Sequence, residues 1–120
     1  MSKIKSYRDL IAWQKAISLT KEIYTLTNGF PKAEQYGLVS QMRRASVSIP
    51  ANIAEGQARN TKGEFKQFLG IASGSLAELE TLTILSGEFC YLSAESLKGL
   101  LSLQAELGKI LNGLLKSLMS

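Results

Sequence analysis

LVSQMRRASVSIPANIAEGQAR, residues 38–59, decides the fold because it carries two stripes at helical spacing side by side. Gln41, Arg44, Ser48, Asn52, Glu55 and Arg59 follow one another at steps of three or four residues, so all six share one side of a helix. Beside them Leu38, Met42, Ala45, Ile49 and Ile53 form an apolar stripe that must face a core. Because the stripes adjoin, the polar one is expected to be half buried against another helix or subunit; an ordinary solvated flank is the alternative. Pro50 lies inside this helix and removes the hydrogen bond to the Ser46 carbonyl. Both stripes keep their phase across it, which predicts a kink rather than a break, with Ser48 placed to satisfy a freed carbonyl.

Toward the N-terminus, Leu10, Trp13, Ile17, Thr20 and Tyr24 mark one face of a helix expected over residues 7–27. Trp13 is either a core residue or a stacking platform for a base. Ser6 and Asp9 supply a capping pattern at the start. Asn28-Gly29 is a stop, since both residues tolerate the left-handed conformation that closes helices. Pro31 suits the first turn of the second helix, expected over 31–58.

Toward the C-terminus, Thr61-Lys62-Gly63-Glu64 reads as a capping box opening a third helix over 62–90. Ser93 is a suitable N-cap for a fourth over 94–118. Gly70 and Gly74 predict a close backbone crossing, and Gly56 either a close approach or the start of a cap. The leucines from Leu97 to Leu118 give the fourth helix a broad apolar face, for core alone or for core plus a subunit interface. Short connections between long helices predict an all-α, antiparallel up-down-up-down four-helix bundle with a Pro-kinked second helix, a single domain over residues 1–120.

A hairpin of helices two and three turning near Asn60 sets Arg44 near Glu78 and Ser48 near Ser75. The expected result is a structural polar network of Gln41, Arg44, Ser48, Asn52, Glu55, Ser75 and Glu78. In it Arg44 and Glu78 make a partly buried ion pair, and Asn52 is largely buried and bonded to a neighbouring helix. Glu55 pairs either with Arg59, four residues on, or with Arg44.

The run QMRRASVSIPANIAEG, preceded by LIAWQKA and FPKAEQYGL and followed by FKQFLGIASGSLAELET, resembles the bacterial four-helix bundle proteins also called ribosomal-RNA intervening-sequence proteins. The resemblance covers Tyr7 to Leu92, while the last helix matches only in its apolar pattern. It implies a small all-α fold, assembly into a ring-like homopentamer and a role with nucleic acid. The chain is also similar to the accessory subunit of diversity-generating retroelements, which binds nucleic acid and works beside a reverse transcriptase. That similarity implies RNA or DNA, and a reverse transcriptase or other protein, as partners.

Composition narrows the function classes. A chain of 120 residues without histidine lacks the commonest metal ligand and the commonest general base at neutral pH. Its one cysteine, Cys90, lies between Phe89 and Tyr91 and reads as a packed side chain rather than a reactive thiol. No phosphate loop, acidic metal cluster or CxxC pair is present, so the expectation is a non-enzyme with no cofactor and no metal. The polar N-terminus and the shortness of the apolar runs predict a cytoplasmic protein without a membrane span.

Charge is uneven along the chain. Residues 1–66 hold eleven Lys and Arg against five Asp and Glu, a balance of +6, whereas residues 67–120 hold three against five, a balance of −2. A basic half favours an anionic partner, with Arg43, Arg59, Lys62 and Lys66 as candidate nucleic-acid contacts. The alternative is a protein-protein interaction adaptor that docks through the leucine-rich fourth helix and binds no nucleic acid.

Overall fold

Ser93 and Thr61 each accept a backbone N–H three residues on, Ser96 at 3.0 Å and Glu64 at 3.1 Å, and these caps start the two C-terminal helices where the sequence predicts. The computed structural model describes residues 6–119 and contains helices α1 (Ile11–Thr27), α2 (Leu38–Ala58), α3 (Lys62–Glu88) and α4 (Ala94–Ser117). No strand occurs among the described residues. Lys3 and Lys5, counted in the basic half, lie outside them. Each helix packs on its neighbour in sequence and α4 closes on α1, while the diagonal pairs stay apart. This is the all-α bundle that short antiparallel connections dictate.

Leu19 and Ile23 of α1, Met42, Ile49 and Ile53 of α2, Leu69 and Leu79 of α3, and Leu100, Leu107 and Leu111 of α4 are fully buried along the bundle axis. Each such side chain contributes roughly 1.5–3 kcal/mol on leaving water. Leu97, Ile110, Leu114, Leu115 and Leu118 pack against this core from its edge, so the wide apolar face of α4 is mostly used within the chain. Trp13 is likewise half buried against the core, its ring edge-on to Tyr7 at 5.4 Å. Averaged over an 18-residue window, α3 reaches a hydropathy of 1.3 and meets the length and composition of a membrane-crossing helix, a property that core helices of bundles share.

Three helix ends differ from expectation. The Ser6–Asp9 capping box forms, but it encloses only a 3₁₀ turn, Tyr7–Asp9, because buried Leu10 is extended; α1 therefore begins at Ile11. Pro31 precedes a second 3₁₀ turn, Lys32–Glu34, instead of opening α2. Gly37, with φ −111° and ψ −111°, separates that turn from α2, and Glu34 Oε1 accepts the Leu38 N–H at 3.3 Å. Asn28-Gly29 does stop α1, yet Asn28 stays right-handed and no glycine among the described residues has positive φ. The end is closed by bonds from Gly29 N–H to the Leu26 carbonyl and from Phe30 N–H to that of Thr27.

The left-handed cap occurs instead after α3, at Cys90 with φ +61°. Tyr91 N–H donates to the Ser86 carbonyl and Cys90 N–H to that of Gly87, which together define a Schellman motif. Cys90 is consequently exposed, not packed as its sequence neighbours imply.

The helix α2 runs through Pro50 without a break. The carbonyl freed at Ser46 is met by Thr20 of α1, whose hydroxyl lies 3.0 Å away, and not by Ser48. Ser48 faces the other side of α2 and bonds Ser75 at 2.8 Å. Gly56 is the true close approach between α2 and α3: a Cβ there would stand 2.7 Å from Phe68 Cβ. Gly70 and Gly74 have open space around them, so neither marks a crossing among the described residues.

Candidate nucleic-acid interface

The polar stripe of α2 divides into three local arrangements. At its centre Ser48 and Ser75 link α2 to α3, as the hairpin pairing predicts. Asn52 Nδ2 donates to the Ser48 carbonyl at 2.8 Å and its hydroxyl at 3.0 Å, so Asn52 is half buried and bonds within its own helix instead of to a neighbour. Glu55 and Arg59 pair at 2.7 Å, the four-residue alternative. Arg44, Gln41 and Glu78 are exposed, and no ion pair joins Arg44 to Glu78 among the described residues. A four-residue step drifts about 40° around a helix, and from Ser48 that drift turns Arg44 away from α3.

The four candidate cations fall at opposite ends of α2. Arg59, Lys62 and Lys66 gather at the α2–α3 turn, whereas Arg43 precedes Arg59 by sixteen residues, about 24 Å along the axis. Arg59 is engaged locally: it touches Glu55 and Glu64, the latter at 3.5 Å, and lies over the Phe68 ring at 4.9 Å. The Glu55 hydrogen bond raises its pKa and holds the charge in place. Lys62 is exposed and Lys66 half buried, so this end sets three cations against two carboxylates.

Arg43 closes the C-terminus of α1. Its Nε donates to Thr27 Oγ1 at 3.0 Å and its Nη2 to Asn28 Oδ1 at 3.0 Å, with the guanidinium 4.6 Å from the Tyr24 ring centre. A cation at that helix end complements the macrodipole. It also stands between two adjoining hollows. The larger, about 490 Å³, runs between Tyr24 and Tyr36 along Ser40, Arg44 and Val47. The smaller, about 180 Å³, is bounded by Asn28, Pro31 and Lys32. Lys32, Arg43 and Arg44 line the pair, and no carboxylate among the described residues does.

Residues 8–113 match the sequence profile of the 23S rRNA-intervening sequence proteins. The chain belongs to this family. Its fold is similar to a crystal structure from Bacteroides thetaiotaomicron, a protein of unknown function from the S23 ribosomal protein family. The TM-score is 0.80 at 22% identity, over 88% of this chain and 99% of that one. No curated protein matches the sequence.

In this member of the family, the charge distribution singled out Arg43 and three cations of the α2–α3 end, and passed over Tyr36 and Arg44 as ligand contacts of the groove at the other. Tyr36 is 92% exposed, and it sits in a three-residue connection, Gln35 to Gly37, between the second 3₁₀ turn and α2. The available signal was that tyrosine itself: an aromatic beside a glycine in a polar linker, a few residues before the Arg43-Arg44 pair. Among the described residues no three His, Cys, Asp or Glu side chains gather as a metal site would need.

Proposed function

We propose that the protein is a non-enzymatic scaffold that binds RNA or DNA through its basic N-terminal half and assembles with copies of itself in the cytoplasm. The observation that carries the reading is the cluster of Lys32, Arg43 and Arg44 around adjoining hollows, with no carboxylate of the described residues in their walls. Such cations release counterions when they meet phosphates, so affinity falls steeply with salt and depends little on sequence. The family's name makes RNA the first ligand to try. Titration of structured RNA, duplex DNA and a single-stranded oligonucleotide at two salt concentrations tests it, and an absence of binding to all three at low salt would overturn it.

The homopentamer implied by the family resemblance is part of this proposal. Exposed Ile11, Ile71, Ile84 and Phe89 provide apolar surface for contact between copies or with a protein such as a reverse transcriptase. Leu103 of α4 is exposed as well, and the adaptor alternative would dock a protein partner through that helix. Light scattering at micromolar concentration tests the assembly; a monomer counts against it.

A further inference from the structure

We infer that the groove between Tyr24 and Tyr36 is a site for single-stranded nucleic acid, in which an unpaired base stacks on Tyr36 and the adjoining phosphate meets Arg44. This rests on the nucleic-acid reading above and specifies its site and the form of the ligand.

Tyr36 leaves nearly all of its ring in water and has no hydrogen bond or ring contact among the described residues. Its backbone is nevertheless pinned. Gly37 N–H donates to the Glu34 carbonyl at 3.0 Å, Glu34 Oε1 accepts the Leu38 N–H, and the Tyr91 hydroxyl donates to Glu34 Oε2 at 2.9 Å. An exposed aromatic on an anchored turn stacks with little ordering cost, because the support is already rigid. Every base offers a π-face, so such a platform tolerates any sequence. In a duplex those faces are covered by neighbouring base pairs, which is why an unpaired base fits and a paired one does not.

Electrostatics favour the same occupant. Arg44 is exposed and forms no ion pair among the described residues, unlike Arg59 at the other end. Arg43 spends Nε and Nη2 on Thr27, Asn28 and the Tyr24 carbonyl, which fixes its charge at the junction of the hollows while Nη1 keeps its donors. The larger hollow, about 490 Å³, falls within the ~300–1,000 Å³ typical of small-ligand sites, which is room for a base.

The test uses the full chain with a labelled fifteen-nucleotide oligo-dT or oligo-U and with a duplex of equal length, read by fluorescence anisotropy at two salt concentrations. Tyr36→Ala should weaken single-strand binding roughly 5- to 150-fold, the fold-change that matches the usual stacking contribution. Tyr36→Phe should bind like the parent. Arg44→Gln should weaken binding and reduce the salt slope by about 0.7. A Lys62→Gln, Lys66→Gln double variant should change single-strand affinity less than Arg44→Gln. If oligonucleotides bind but Tyr36→Ala and Arg44→Gln match the parent, the groove is wrong and the broader reading stands. If no nucleic acid binds at low salt, both fall. If Tyr36→Ala shifts the oligomeric state and leaves nucleic-acid affinity unchanged, a second copy of the chain fills the groove and this proposal is overturned.

Discussion

The hydroxyl of Thr20 on α1 lies 3.0 Å from the carbonyl of Ser46 on α2, the carbonyl that Pro50 deprives of its helical N–H. The same hydroxyl is 2.9 Å from the Ala16 carbonyl, so its single proton is shared between an acceptor in its own helix and one across the interface. Ser46 is fully buried, and water cannot substitute. Thr20→Val should therefore destabilise the fold by ~1–3 kcal/mol, the cost of a buried acceptor left unpaired. Restoring an N–H with Pro50→Ala should shrink that penalty. Urea denaturation of the two single variants and the double variant measures the coupling, and additive effects would mean that Thr20 does not serve the Pro50 gap.

Glycines of α2 and α3 should respond in opposite directions. Gly56→Ala places a methyl 2.7 Å from Phe68 Cβ and 3.3 Å from the Phe65 carbonyl, so α2 and α3 must move apart. A loss of ~1–3 kcal/mol is expected from overpacking. Gly70→Ala and Gly74→Ala meet nothing within 4 Å among the described residues and should each gain up to ~1 kcal/mol from helix propensity. Thermal melts give the order. A destabilised Gly74→Ala that also dissociates an oligomer would show that this face of α3 is covered by a second copy.

Cys90 holds a left-handed backbone at φ +61°, which costs a residue with a Cβ ~1–2 kcal/mol. Glycine removes that strain but adds freedom to the unfolded chain, so Cys90→Gly should stabilise by no more than ~1 kcal/mol. Cys90→Val should lower the melting temperature. The exposed thiol should also react with a thiol reagent in the native protein; protection until unfolding would contradict the cap geometry.

In the core, Gln104 is fully buried, donates to Thr83 Oγ1 at 2.9 Å and leaves its Oε1 without a partner among the described residues. Thr83→Val strands the whole amide and should cost ~1–3 kcal/mol. Replacing both, with Gln104→Met and Thr83→Val, should match or exceed the parent in stability, since no polar atom is then left behind. A double variant less stable than Thr83→Val alone would refute this account.

How much was legible depended on whether the deciding interaction was local. The Thr61 and Ser93 caps, the Glu55–Arg59 pair and the apolar stripe of α2 follow from residues within one or two helical turns, and all of them appear in the structure. The face read for α1 is rotated: Ala12, Ala16, Leu19, Ile23 and Thr27 are buried there, while Trp13, Ile17 and Thr20 are half buried and Tyr24 is exposed, because a broad apolar pattern does not fix which of its edges meets the core. The Ser48–Ser75 contact followed because hairpin register needs only the turn position. Thr20 was out of reach, since its partner is twenty-six residues away on a helix whose rotation no local pattern sets. Cys90 in the left-handed position runs against residue preference and so carried no signal. The Tyr36 groove was hidden for the same reason as Thr20: α1, a 3₁₀ turn and α2 build it together, and stripe periodicity describes one helix at a time.

That groove has a support that can be removed without touching its walls. The Tyr91 hydroxyl holds Glu34, and Glu34 holds both the turn before Tyr36 and the first N–H of α2. The hydrogen bond to Glu34 raises the Tyr91 pKa, with desolvation and the carboxylate charge acting in the same sense. A raised value in the folded state means that the contribution is fully present below the unfolded tyrosine pKa of ~10 and is lost as pH rises through the folded one. Tyr91→Phe should therefore speed hydrogen exchange at Gly37 and Leu38 near neutral pH and weaken oligonucleotide binding, although Tyr36 and Arg44 remain intact. The parent should approach the variant in stability only in strongly alkaline solution. If the two differ by the same amount on both sides of the tyrosine titration, the Tyr91–Glu34 bond is not what anchors the turn.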